Sequence, residues 1–97
     1  MIEISENGKQ VTVRLPEEFT YRIYREFRNV YVNRSDDIIY TIDFVRVISM
    51  DSSALGMLLL MHEHCKSNRS RIRLVNCSSR VAGMLSYSSV GSMFTLG

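Results

Sequence analysis

The sequence predicts a single α/β domain built on a mixed, mostly parallel sheet of four or five strands covered by helices, in the order β-β-α-β-α-β-α-β. Three observations predict it. The chain has 97 residues, enough for one core and one domain. After an opening pair of strands, short β-branched runs alternate with amphipathic helical segments, which implies right-handed crossovers and a largely parallel sheet. No internal repeat, low-complexity tract or linker interrupts residues 1–97.

Residues 2–5 and 10–15 read as strands, because Ile2 and Ile4, then Val11, Val13 and Leu15, alternate with polar residues. Asn7-Gly8 between them is a two-residue hairpin signal, since both positions tolerate positive φ. Pro16, the only proline, closes the second strand. Thr20 caps a predicted helix over 21–33, on which Ile23, Phe27, Val30 and Tyr31 continue a helical spacing begun at Phe19. Arg22, Arg25, Glu26 and Arg28 fall mostly on its other side, as a solvated face. The nearly unbroken β-branched and aromatic run over 37–44 predicts a strand covered on both faces. The segment FVRVISM leads on to a second helix over 53–66. A turn at SNRS (67–70) precedes a buried strand, IRLVN, over 72–76. Ser78 or Ser79 caps a third helix over about 80–88. Gly91 ends a turn, and Met93, Phe94 and Leu96 predict a last short strand. Ile39, Ile42, Leu55, Leu59 and Leu74 are expected in the core.

Composition is that of an ordinary globular domain, with 45% hydrophobic and 23% charged residues. The net charge of +2 gives no strong attraction to nucleic acid or an anionic membrane. The opening MIEISENGKQ lacks the basic start and apolar block of a signal peptide, and no run approaches the roughly 18 apolar residues of a membrane span. A cytoplasmic protein is expected. Cys65 and Cys77 lie twelve apart without a CxxC, and only His62 and His64 stand near, which favours reduced packed thiols over a metal site. No cofactor is implied.

The residues also argue against an enzyme. Ser52 has no histidine beside it; His62 and His64 lie two to three turns along the helix. There is no glycine-rich phosphate loop, and Asp36-Asp37 and Glu17-Glu18 read as ordinary solvated acids. Arg69, Arg71 and Arg73 alternate, with Arg46 and Arg80 as possible neighbours, yet no aromatics interleave with them, so nucleic-acid binding is not indicated.

The stretch MDSSALG (50–56) carries the functional argument. Asp51 and the serines can cap the second helix, because a side-chain oxygen accepts from the unpaired N–H groups of the first turn. The same place suits a switch. Ala54 and Gly56 are small, and Gly56 costs about 1 kcal/mol of helix stability relative to alanine, which suggests a close approach to the backbone there. The helix shows two apolar stripes. Leu55, Leu58, Leu59, His62 and Cys65 form the expected core face, and Met57, Leu60, Met61 and His64 lie on the opposite side. Met57, Leu60 and Met61 are therefore candidates either for a partner-binding surface or for contact with another part of the chain.

The segment DFVRVISMDSSALGMLLL (43–60) resembles the signature of the STAS domain family, anti-sigma factor antagonist type. Asp43 ends a strand, and Asp51 opens the D-S-[ST]-[GA]-L-G pattern eight residues later. The closing IRLVNCSSRVAGMLSYSSVGSMFTL (72–96) is similar to the family's last strand, serine-capped helix, glycine turn and final strand. The resemblance covers residues 38–96 well and the first 37 weakly. It implies a single STAS-like domain over 1–97. It further implies that Ser52 is phosphorylated by a partner that is both protein serine kinase and anti-sigma factor, with Ser53 as second choice. Asp51, Ser52, Ser53, Ala54 and Gly56 would form the switch loop. A PP2C-type phosphatase would restore the unphosphorylated form, which binds the partner. Where many members carry a G-x-[LI]-D segment, this chain has VRLPEEFTYR, so the partner class stays open between a sigma-factor circuit and a biofilm or transport regulator. A small-ligand or nucleotide-binding module of the family is the alternative. The oligomeric state is not implied.

Overall fold

The computed structural model describes residues 1–35, 37–65, 71–87 and 90–96. Strands β1 (Glu3–Asn7) and β2 (Gln10–Arg14) form an antiparallel hairpin in which Asn7 pairs with Gln10. The turn is therefore Gly8-Lys9, one residue later than Asn7-Gly8 suggests. Gly8 takes φ +61, which a two-residue turn with glycine first requires, and Asn7 stays in the strand.

Strands β4 (Ile39–Asp43), β6 (Ile72–Val75) and β7 (Thr95–Leu96) extend the sheet in parallel, giving the order β1-β2-β4-β6-β7. The register aligns Val11, Tyr40 and Ile72 in one row, and Val13, Ile42 and Leu74 in another. All six are buried. The intervening row of Thr12, Thr41 and Arg73 reaches solvent, so the sheet has one covered face. Two expectations are corrected here. The strand over 39–43 is not covered on both faces, and Ile39, opposite Gln10 on the open side, is 40% exposed rather than core. Ile42 and Leu74 are core as expected.

Thr20 caps the next segment, accepting from the Arg22 amide at 3.4 Å. The helix over 21–33 resolves into a 3-10 turn at Tyr21–Ile23 and helix α1 at Tyr24–Tyr31. Phe27 of α1 packs its ring 5.4 Å from Phe19 and 6.1 Å from Tyr31, and Phe19 lies 5.9 Å from Phe44. Helix α2 spans Ser52–His64 and helix α3 spans Ser79–Tyr87. Ser78 is the residue that caps α3, its hydroxyl accepting from the Val81 amide at 3.2 Å. The expected turn at 67–70, the helix end at 66, the last residue of 80–88, and Asp36 and Arg69 lie outside the described residues.

A second, two-stranded parallel sheet was not foreseen. It pairs β3 (Glu18–Phe19) with β5 (Ser49–Met50). The Glu17 carbonyl also accepts from the amides of Ile48 and Ser49 at 2.8 and 3.1 Å. This clip fixes the segment that enters α2.

Candidate functional site

The parallel strands β4 and β6 end at the same edge of the sheet, and α2 and α3 start beyond it. Asp43, the last residue of β4, ties that edge together. Its carboxylate accepts from the Asn76 side chain at 2.9 Å, the Val45 amide at 2.9 Å and the Arg14 Nε at 3.4 Å. Burial pushes the Asp43 pKa up, but the bonds from Asn76, Val45 and Arg14 together outweigh it and hold the carboxyl below its ordinary value. Asn76 reaches Asp43 from a left-handed backbone, φ 58, a conformation asparagine tolerates better than most residues. The sequence marked Asp43 only as a strand end, and Asn76 was missed. An asparagine directly after a buried strand was the available signal.

Eight residues on, Asp51 is the N-cap of α2, in extended backbone with φ −115. Its Oδ1 accepts from the amides of Ser53 at 3.1 Å and Ala54 at 3.3 Å, and from the Ser53 hydroxyl at 2.5 Å. Ser53 is half-buried and committed to the cap. Ser52 is the first residue of α2 and is exposed, and its hydroxyl makes no hydrogen bond among the described residues. Ala54 is fully buried under the first turn. Gly56 is exposed, and among the described residues no atom lies within 4 Å of a Cβ built on it, so none of them makes the close approach that its small size suggested.

The phase of α2 differs from both predicted stripes. Ala54, Met57, Leu58, Met61, His62 and Cys65 are buried, while Leu55 and Leu59 are only half-buried. Met57 and Met61 thus belong to the core and not to a partner-binding surface. Of that stripe Leu60, 46% exposed, and His64 reach solvent. The buried side is centred on Ala54, Leu58, Met61 and Cys65, between the two stripes.

Leu55, half-buried and packed at the edge of the core, borders a groove. On α3, Arg80, Gly83, Met84 and Tyr87 recur at i, i+3, i+4 and i+7 and so share one face. That face and Leu55 line a hollow of about 400 Å³. A second, of about 210 Å³, is lined by Val47, Ile48, Met50, Ser78, Arg80, Val81 and Met84. Ile48 and Tyr87 stand at the surface around them, 67% and 95% exposed. The hollows therefore flank the start of α2 on the side where Leu55 follows Ser52 by one turn. Among the described residues no helix is long and apolar enough to cross a membrane.

Comparison with known proteins agrees with this geometry. The family model described as "Mlab, STAS domain" matches residues 2–95. A STAS-domain containing protein of Pseudomonas aeruginosa strain UCBPP-PA14 is 31% identical over 93 residues, which cover 95% of this chain and 92% of that protein. An anti-sigma-factor antagonist (STAS) domain protein from Planctomyces limnophilus superposes with a TM-score of 0.83 at 14% identity, over 98% of this chain and 87% of its own. The anti-sigma factor antagonist SpoIIAA in its unphosphorylated form gives 0.74 at 17% identity, over 100% of this chain and 87% of its own. At these identities the two structures show the fold alone. The family match runs nearly end to end and the relative exceeds 30% identity, so the chain belongs to the STAS domain family.

Proposed function

We propose that this protein is a regulatory switch of the anti-sigma factor antagonist type. Unphosphorylated at Ser52, it binds a partner regulator, a protein serine kinase/anti-sigma factor or a related protein. Phosphorylation of Ser52 releases the partner, and a PP2C-type phosphatase resets the switch. The observation that carries this reading is the contrast between adjacent hydroxyls: Ser52 is exposed and makes no hydrogen bond among the described residues, while Ser53 is held by Asp51. A phosphate on Ser52 adds about −1.5 to −2 charges at a helix start that tolerates anions, so the fold survives while the surface changes sign.

With Met57 and Met61 in the core, the partner's seat moves to the groove beside Ser52, where Leu55, Met84 and Tyr87 offer apolar surface next to Gly83. The test is affinity for the cognate regulator. Ser52→Ala binds as wild type and keeps binding when kinase and ATP are present. Ser52→Asp folds and binds at least about a hundredfold more weakly, a loss of about 2.7 kcal/mol. Gly83→Leu, placed where a Cβ meets nothing within 4 Å, folds and blocks the seat. Equal affinity in all four proteins would reduce the motif to a helix cap.

A further inference from the structure

Arg80 opens the exposed face of α3 and lines both hollows beside the start of α2, sharing one with Leu55 and the other with Met50. Ser52 lies between Met50 and Leu55 in the chain. Leu55 sits one turn beyond Ser52 on the same side of α2, and side chains at this spacing have Cβ atoms about 5–6 Å apart. A helical side chain leans back toward its N-terminus, so Leu55 leans toward Ser52. Arg80 thus shares its two hollows with residues that flank Ser52 in the chain, which sets Arg80 and Ser52 at the same end of the α2–α3 groove. Arg14, Arg34 and Arg46 each hold a carboxylate, whereas Arg80 makes no ion pair among the described residues.

We propose that Arg80 is the intramolecular receptor for a phosphate on Ser52, and that this ion pair draws the guanidinium across the mouth of the α2–α3 groove. The proposal rests on the reading of Ser52 as phosphoacceptor and adds how the modification acts. Two terminal oxygens of the phosphate accept parallel N–H bonds from the planar guanidinium, a match that a lysine ammonium does not reproduce. No covalent bond forms or breaks in this step; the guanidinium replaces water around the phosphate. The phosphorylated form then occludes its own binding groove, besides repelling a partner.

The test uses the full chain with phosphoserine installed at position 52 during translation, so that it needs no kinase. Phosphorus NMR follows the second ionisation of the phosphate, ordinarily near pH 6. With Arg80 present it occurs at least about half a pH unit lower than in Arg80→Gln. Arg80→Lys falls between the two. Arg73→Gln, on the open face of the sheet, titrates as wild type. The Met84 methyl resonance shifts on phosphorylation only when Arg80 is present. Identical titration in wild type and Arg80→Gln overturns the proposal. That result would leave Ser52 as a possible site of switching by repulsion alone, and absence of phosphate on Ser52 in cells would instead count against the switch itself.

Discussion

Asp51 accepts from three donors on two residues, Ser53 and Ala54, and this decides which serine remains available. Asp51→Ala removes the cap and is expected to lower stability by about 0.5–2 kcal/mol in urea unfolding. Ser52→Ala, which breaks no hydrogen bond among the described residues, changes it by no more than about 0.5 kcal/mol. Asp43 gives a second prediction at this scale. Its folded pKa lies below its unfolded value, so the fold prefers the ionised form. The stability it contributes is complete above the unfolded pKa of about 4, and is lost as pH falls through the folded value. The stability gap between wild type and Asp43→Asn should therefore be larger at neutral pH than in acid. An unchanged gap would show that hydrogen bonding alone, without charge, accounts for Asp43. The sequence could place Asp43 at a strand end, but its partners Arg14 and Asn76 lie 29 and 33 residues away. Only the register that sets Arg14 beside Asp43 makes that site visible.

At the scale of elements, α2 shows where sequence periodicity stops being informative. Every side of its first three turns carries an apolar residue, so the pattern identifies a helix without fixing its phase. Ala54 was the overlooked marker of the buried side. The assignment predicts that Met61→Ala costs about 2–5 kcal/mol, whereas Leu60→Glu stays within about 0.5 kcal/mol. The reverse order would restore Met61 to the surface. Gly83→Ala in α3 should stabilise the protein by about 0.5–1 kcal/mol, since the added methyl meets nothing and alanine loses less entropy in a helix. The β3–β5 clip escaped the sequence for a plainer reason. Each strand has two residues, too few for an alternating pattern.

The molecule as a whole was legible in its order. Alternating strand and helix patterns gave the parallel β2, β4, β6 and β7, and the family signature at 43–60 marked the edge of the sheet that carries the proposed switch. What the pattern did not reveal is that the sheet is open on one face, because Ile39 reads as core in a β-branched run until its neighbours in the sheet are known. Nor did it reveal that α2 and α3 enclose a groove beside Ser52, which depends on two helix phases at once. The central claim is that this edge is a switch set by one hydroxyl. It is tested most directly by purifying the protein and its variants from the native host and measuring intact mass. The account predicts a wild-type population carrying one phosphate, the same population in Ser53→Ala, and none in Ser52→Ala. A phosphate that persists in Ser52→Ala and disappears in Ser53→Ala would contradict it.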